Sequence, residues 1–304
     1  MAREGMRYWR LKPDARLRPW ILCYWMVEPD PETAISQSTS ATDPDKLQLL
    51  IPDGHSEIVF RLAGSFTRWS IDEPDKRAQM AASYVIGGRS KSVFTQSTGG
   101  LRLAGVKLDP RALRALIGMP LGELRDTTVA CADLGVRALS EVEERIASLR
   151  IVDQLASVFD QFFLRRMTEE VEETNTASHL LERIRATRGS QSILQWAREH
   201  RVDPRTLERH FVAQMGMAPK QFARIERFKH SYHRLGTQQS GRARTYLEPY
   251  YDESHFNREF RHFLGMSPMS WLNHRGESRT TIADHLLEGE LSAAEAHVVG
   301  LLTS

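Results

Sequence analysis

The chain has 304 residues, a net charge of only +2 and two cysteines, and no apolar run is long enough to cross a membrane. This composition is typical of a folded soluble protein, and the chain is long enough for two domains with separate hydrophobic cores. Two cysteines exclude a small fold that depends on several disulfide bonds. The N-terminus is too charged for a secretory signal, so we expect a cytoplasmic protein. Charge is unevenly distributed, because residues 179–279 carry 18 Lys and Arg against 10 Asp and Glu, whereas the remainder has a net charge of −6. A basic C-terminal third indicates a nucleic-acid-binding module attached to another domain.

Residues 1–118 are predicted to form a β-rich domain. Short apolar segments at 21–27, 47–52 and 56–62 are separated by glycine and proline turn signals such as Asp53-Gly54, Gly64, Gly87-Gly88 and Gly99-Gly100. Short strands separated by glycine and proline turns favour a β-sandwich or a small β-barrel. A helix is predicted at its end, with Asp109 as N-cap, Pro110 in the first turn and Gly118 as the stop.

Residues 119–175 are predicted to be helical. Apolar residues from 139 to 163 recur at helical spacing and form a stripe too broad for a lone solvated helix. We expect this stripe to pack on the barrel, on a partner chain, or on both. The polar segment 171–178 is the predicted linker to a domain at 176–277, and the tail 278–304 contains a candidate amphipathic helix of unassigned role.

A sequence pattern occurs twice in this C-terminal domain. LERHFVAQMGMAP, which begins at Leu207, is echoed 49 residues later by FNREFRHFLGMSP, which begins at Phe256. Each copy predicts a helix that ends at a left-handed glycine, Gly216 or Gly265, and that is followed by a new helix. The inward positions are apolar in both copies, namely Leu207, Phe211 and Met215 in the first and Phe256, Phe260 and Phe263 in the second. A preceding helix and a turn complete each unit, with Asp203 and Pro204 opening the second helix of the first copy.

Two helix-turn-helix modules joined by a linker helix are the natural interpretation. Such a module places its second helix in the major groove, so two modules on a rigid helix can contact two adjacent groove faces about 34 Å apart. The outward positions then supply base contacts, for which the candidates are Arg205, Glu208, Arg209, Glu253, Ser254, Asn257 and Arg258. Candidate phosphate contacts are Arg224, Arg227, Lys229 and Arg261. The competing interpretation is that these residues only form solvated helix faces.

The second copy carries a recognisable signature. YYDESHFNREFRHFLGMSP, at 250–268, resembles the signature of AraC-type transcription regulators, in which two helix-turn-helix modules are joined by a linker helix. The resemblance covers roughly 180–275. It implies promoter DNA and RNA polymerase as partners, a role in activation or repression, and an N-terminal domain that senses a signal or dimerises. Such domains are often cupin-like β-barrels followed by helices, so the expected fold class is α+β.

Two short motifs are candidates for effector binding. Arg3 and Arg7 form RxxxR, and Thr95, Ser97 and Gly100 form TxSxxG. Together they resemble the paired motif of PilZ domains, which bind cyclic di-GMP, although Thr95 stands where that motif has Asp or Asn. Two guanidinium groups can clamp a phosphate or contact guanine, and glycine lets the backbone approach the ligand. Arg89 and Arg102 flank the second motif and are further candidates for an anion site.

An enzyme is the least favoured class. A metal-dependent barrel needs two or three histidines with a carboxylate, but the first 178 residues contain only His55, with Glu57 beside it on the same predicted strand. The sequence has no G-x-S-x-G, P-loop or H-E-x-x-H motif. We expect no cofactor other than the effector. The alternatives that remain are a regulator that senses a different small molecule and a ligand-independent DNA-binding homodimer.

Overall fold

The computed structural model describes residues 6–29, 47–149, 152–167, 175–237 and 245–275. Within them an N-terminal sheet domain is followed by a helical domain, so the predicted α+β class is confirmed. Arg3 and the tail 278–304 lie outside the described residues. No helix in the described part is long and apolar enough to span a membrane.

The N-terminal domain is built on one antiparallel sheet. Its strand order is β1-β2-β7-β4-β6-β8, with β3 paired to β7 and β5 paired to β4. No described pairing joins β1 to β8, so the sheet is open rather than a closed barrel. The strand β8 lies beyond residue 118, so the sheet extends past the predicted end of the β domain. The strands are β1 Met6–Leu11, β2 Ile21–Pro29, β3 Leu47–Leu50, β4 Ser56–Ser70, β5 Ala78–Gln79, β6 Ser83–Ile86, β7 Val93–Leu108 and β8 Thr128–Ala130.

The two longest strands, β4 and β7, pair along most of their length. Gly64 and Gly100, which the sequence marked as turn positions, lie inside these strands with φ of 71° and 57°. The register shifts between Arg61 and Ser65, and such bulges bend a strand pair without ending it. The prediction of short strands is therefore wrong here. Residues of β2, β3, β4, β6 and β7 line a cavity on one face of the sheet.

Three helices cover the other face of the sheet: α1 Pro110–Ile117, α2 Ala138–Ala147 and α3 Gln154–Leu164. Asp109 caps α1 by accepting from the N–H of Arg111, and Gly118 ends it with φ of 69°, as predicted. The apolar stripe packs on the sheet, where the rings of Tyr24 and Phe159 stack at 4.9 Å. The sheet is one of the two surfaces on which this apolar stripe was expected to pack.

The C-terminal domain has six described helices: α4 Thr176–Ala186, α5 Ile193–Glu199, α6 Pro204–Met215, α7 Pro219–Thr237, α8 Glu253–Leu264 and α9 Pro268–Arg275. Asn175 already caps α4, so the linker ends before the predicted residue 178. The linker helix α7 continues through Gly236, where it was expected to stop. Before α8, the described part of the second module contains a 3₁₀ turn, Thr245–Leu247.

Candidate DNA interface and effector cavity

The helix α6 has the form expected of the first recognition helix. The Asp203 carboxylate accepts from the N–H of Thr206 at 2.8 Å, and Gly216 ends the helix with φ of 79°. Leu207, Phe211 and Met215 are buried in the core of the C-terminal domain. Because the inner face is apolar, the outer face is left polar, and its exposed residues are Arg205, Glu208 and Arg209.

The helix α8 repeats this arrangement. Asp252 accepts from the N–H of His255 at 2.7 Å, and Gly265 ends the helix with φ of 69°. The aromatic residues at 256, 260 and 263 are buried in the same core. Glu253, Ser254, Arg258 and Arg261 are exposed, and Asn257 is half-buried. The predicted inward and outward faces of both helices therefore agree with the structure.

Three of the predicted phosphate contacts are engaged inside the protein. Arg224 donates from Nε to the buried Glu259 carboxylate of α8 at 2.7 Å, and Arg227 donates to the carbonyl oxygen of Gly189 at 2.6 Å. Lys229 is buried and donates to Glu226 and to the backbone oxygen of Asp53. The prediction fails for Lys229, because a side chain that contacts the other domain does not reach DNA. Arg224 and Arg227 join α7 to its neighbours, whereas Arg261 remains available.

Ion pairs centred on the buried Asp109 connect the two domains. Asp109 accepts from Arg185 of α4 at 2.7 Å and from Arg111, and Arg111 also pairs with Glu182 at 2.7 Å. Burial alone would raise the pKa of the Asp109 carboxyl, but Arg185 and Arg111 outweigh burial and hold this pKa well below its usual range. Asp109 is therefore both the cap of α1 and an attachment point for the DNA-binding domain.

The C-terminal ends of both recognition helices also touch the N-terminal domain. A Cβ placed on Gly216 would lie 3.2 Å from the carbonyl oxygen of Leu121, and one on Gly265 would lie 2.9 Å from the side chain of Ile71. Gly88 approaches the end of α6 even more closely, because a Cβ there would lie 2.5 Å from Cε of Met217. The N-terminal domain thus contacts both helices while their predicted DNA faces stay exposed.

The curled sheet encloses a cavity of about 680 Å³, counting the space at its open mouth. One part of its wall is apolar and the other is polar and charged. The lining includes Trp25, Leu50, Ile51, Val59, Phe66, Ile86, Leu101 and Leu103 on the apolar side, and Gln48, Asp53, Glu57, Tyr84, Arg89, Thr95, Ser97 and Lys107 on the polar side. A largely apolar pocket with a few convergent polar groups is the usual form of a small-molecule site.

The charged residues of the cavity form two buried pairs. Lys107 pairs with Asp53, and Nη2 of Arg89 pairs with Glu57 at 3.0 Å. Burial opposes the charge on Asp53, but Lys107, His55 and Arg89 outweigh it and lower the pKa of the Asp53 carboxyl. Asp53 and Lys107 are cavity residues that were not predicted from the sequence. The Asp53-Gly54 turn signal marked the first, but no local pattern marks a lysine inside a long strand.

The predicted effector residues are divided between the two faces of the sheet. Thr95, Ser97 and Arg89 line the cavity. Arg102 instead pairs with Glu28 at 3.1 Å and donates to Leu149 after α2, which places it on the helix-covered face. Arg7 alternates with Tyr8 of the cavity face, and its guanidinium carbon lies 6.0 Å from the Trp9 ring.

The prediction of one site formed by the RxxxR and TxSxxG motifs is therefore wrong for Arg7, and Arg102 does not line that site either. Alternate residues of a strand point to opposite faces of the sheet. Arg3 lies outside the described residues. Gly100 is an exposed bulge position rather than a cavity wall. Among the described residues, no cluster of three or more His, Cys, Asp or Glu side chains has the arrangement of a metal site.

Two family models match separate parts of the chain. Residues 196–274 match a family described as "Helix-turn-helix domain", and residues 9–130 match "Domain of unknown function (DUF6597)". No curated protein matches the sequence. The first match assigns a helix-turn-helix domain to residues 196–274, which contain both recognition helices.

Several solved structures have a loosely similar arrangement. ToxT from Vibrio cholerae is 11% identical over 75% of this chain and 96% of its own, with a TM-score of 0.42. An unsaturated-fatty-acid-bound form of ToxT from the same organism is 11% identical over 89% of this chain and 97% of its own, with a TM-score of 0.41. The AraC-like transcriptional activator CuxR is 12% identical over 93% of this chain and 82% of its own, with a TM-score of 0.26.

Proposed function

We propose that this protein is an AraC-type transcription regulator whose binding to promoter DNA depends on a small molecule held in the cavity of the N-terminal domain. Two capped helices with apolar inner faces and exposed polar outer faces carry the DNA-binding part of this proposal. The base-contact candidates are those named above on α6 and α8. Arg224, Arg227 and Arg261 remain the candidates for phosphate contacts.

One segment connects the cavity to the DNA-binding domain and supports effector control. Ile51 lines the cavity, and its side chain also belongs to the core cluster of the C-terminal domain. Two residues on, Asp53 lines the cavity through its side chain, while its backbone oxygen accepts from Lys229 of the linker helix. A ligand that changes the position of this segment would change the contact with α7. It shifts the DNA-binding equilibrium only if it binds the two conformations unequally.

The identity of the effector is the finer part of the proposal. Cyclic di-GMP keeps Thr95, Ser97 and Arg89 as its candidate contacts, without Arg7 and Arg102. A homodimer and a contact with RNA polymerase follow from the AraC resemblance alone. The second candidate function is a DNA-binding dimer that needs no ligand, and it is favoured if the ligand-free chain binds DNA at full affinity and no compound changes that affinity.

Selection from random DNA tests the DNA-binding proposal. The full chain is used to enrich random duplexes of about 40 bp, which are long enough for two major-groove faces one turn apart. We expect a defined sequence to emerge. Recovery of a random pool at physiological salt, from a protein that is folded by circular dichroism, would contradict the proposal.

The same duplexes then test the exposed helix face. Arg258→Ala should weaken binding to the selected sequence by about 1–3 kcal/mol and relax the preference at one or two positions. Arg137→Ala removes the same charge from an exposed position of the N-terminal domain and serves as the matched control. Equal losses in both variants would mean that only net charge matters.

A further inference from the structure

Tyr251 breaks the symmetry between the two helix-turn-helix modules. It stands directly before Asp252, the N-cap of α8, and the 49-residue repeat pairs it with Val202, which directly precedes the N-cap of α6. Val202 is half-buried and packs against the core of the C-terminal domain. Tyr251 is instead 94% exposed. The two modules are therefore built alike but differ at the residue through which the chain enters the recognition helix.

The aromatic residues around Phe256 explain why Tyr251 lies in solvent. A residue just before an N-cap often packs on the fourth residue of the helix, which in α8 is Phe256. The ring of Phe256 is already in contact with Tyr250, at 5.4 Å between ring centroids, and with Tyr246, at 5.2 Å. These two rings take the place that the residue before the cap would fill, so Tyr251 remains outside the core.

The position of Tyr251 in the module indicates what it contacts. Glu253 and Ser254, the first residues of α8, are exposed and are candidates for base contacts. A recognition helix meets the base edges with its N-terminal residues, so the residue just before that helix lies at the edge of the groove, where the phosphates are. A single exposed tyrosine needs no explanation elsewhere on a surface. At this position its hydroxyl faces the DNA backbone.

The charges at the start of α8 favour a neutral donor there. The Asp252 carboxylate accepts from the N–H of His255 at 2.7 Å, and Glu253 beside it is exposed. These carboxylates would attract a lysine or an arginine placed next to them and compete with the DNA for its charge. A phenol hydroxyl donates a hydrogen bond without forming such an ion pair, and tyrosine is among the side chains that contact DNA phosphates.

We propose that the Tyr251 hydroxyl donates a hydrogen bond to a phosphate at the edge of the groove that α8 enters, and that the second module alone makes this contact. Val202, at the equivalent position of the first module, has no hydrogen-bonding side chain. A phosphate contact fixes register and orientation rather than sequence, so Tyr251 is a positioning residue for α8. This inference rests on the proposed DNA-binding function and adds a residue to its interface.

Removal of one hydroxyl tests the contact. Tyr251→Phe keeps the ring, and because the side chain is exposed, the variant should unfold at the same denaturant concentration as the wild type. We expect it to bind the selected duplex about 3- to 10-fold more weakly, through the loss of one hydrogen bond. Tyr250→Phe removes a buried hydroxyl from the neighbouring residue and is the control, with wild-type affinity. Wild-type affinity in Tyr251→Phe would overturn the proposal.

The salt dependence of binding separates a direct contact from an indirect one. A neutral donor releases no counterion, so the slope of log K against log salt concentration should be the same in Tyr251→Phe and in the wild type. Arg261→Gln removes a charge and should reduce the magnitude of this slope by about 0.9. A similar reduction in Tyr251→Phe would mean that α8 has moved and that its arginines have lost their phosphates, which would overturn the direct contact.

Neutral phosphate analogues locate the acceptor. A methylphosphonate is placed at one position at a time in the half of the duplex whose recognition depends on Arg258. At one position the difference between the wild type and Tyr251→Phe should disappear, because the acceptor is then altered in both complexes. A difference that persists at every position, or a loss confined to duplexes with one particular base pair, would show that the ring contacts a base and would overturn the phosphate contact.

These measurements distinguish the failure of the inference from the failure of the proposed function. If the wild type selects a sequence and Tyr251→Phe binds that sequence equally well, the inference fails and the DNA-binding function stands. If the wild type selects no sequence, the proposed function fails and the hydroxyl contact fails with it.

Discussion

Buried charged side chains attach the second helix-turn-helix module to the linker helix. Glu259 of α8 is 6% exposed at its side chain and accepts from Arg224 of α7 at 2.7 Å, with Arg227 at 3.6 Å. The same pattern that marks Arg258 as exposed places Glu259 one residue on, toward the core. An interaction with DNA on one side of α8 therefore depends on an ion pair on its other side.

Glu259→Gln should destabilise the protein. The change leaves the half-buried Arg224 and Arg227 without their carboxylate, and we expect a loss of about 1–3 kcal/mol, reduced from the fully buried case because Arg224 is one-third exposed. Chemical denaturation measures the loss. Glu208→Gln, on the exposed face of α6, is the control and should change stability by less than about 0.5 kcal/mol. Equal effects of the two changes would contradict the role given to Glu259.

His230 should make stability depend on mildly acidic pH. Burial, followed by the charge of Arg188, lowers the pKa of the His230 imidazole to about 3. Between about pH 6.5 and pH 3 the unfolded chain binds a proton at this position and the folded chain does not, so stability falls as the pH drops through this window.

Urea titrations from pH 7 to pH 4.5 test this dependence on His230. In His230→Gln the fall in stability should be shallower, whereas the exposed His210→Gln should retain the slope of the wild type. A variant of His230 with an unchanged slope would show that other groups control the response.

At the level of elements, the sequence predicted the recognition helices well and the sheet poorly. Helix caps are local features of the sequence. The ends of α6 lie at Asp203 and Gly216, and those of α8 lie at Asp252 and Gly265. The 3.6-residue spacing of the apolar residues predicts which face of each helix is buried. The lengths of β4 and β7 were not predicted, because a glycine such as Gly64 or Gly100 looks the same in the sequence whether it forms a turn or a bulge.

The cavity residues illustrate a second limit. Lys107 and Arg89 come together only when β7 and the loop after β6 fold against β4, so their meeting is a tertiary event. The predicted pairing of RxxxR with TxSxxG failed in the opposite way, because Arg7 and Ser97 lie on different faces of one sheet. Motif spacing does not record which face of a strand a residue occupies.

The left-handed end of α6 should contribute both to the helix and to the contact between domains. Gly216→Ala should cost about 1–2.5 kcal/mol, since a left-handed φ strains alanine and the new Cβ crowds Leu121 at 3.2 Å. Gly118→Ala is the control, because Gly118 has a left-handed φ of 69° and no atom within 4 Å of a new Cβ. Thermal unfolding of both variants isolates the contact with the N-terminal domain, and an equal loss in both would mean that this contact contributes nothing.

At the scale of the whole molecule, Asp109 joins the two domains. Asp109→Asn keeps a good N-cap for α1 but removes the charge that Arg185 and Arg111 share, so it tests the connection rather than the helix. We expect a loss of about 3 kcal/mol and two resolved transitions in calorimetry in place of one. Asp203→Asn, which alters a surface cap on α6, should leave the transitions unchanged in number. A single, wild-type-like transition in Asp109→Asn would show that the domains are coupled by other contacts.

We propose that one chain contacts DNA with two similar helices whose positions the N-terminal domain controls. The most direct test is to compare the sequence selected from random duplexes by the wild type with those selected by Arg209→Ala and by Arg258→Ala. We predict two short conserved boxes whose centres lie about one helical turn apart, with each variant losing the information in a different box. A single box, or the loss of the same box in both variants, would contradict the account.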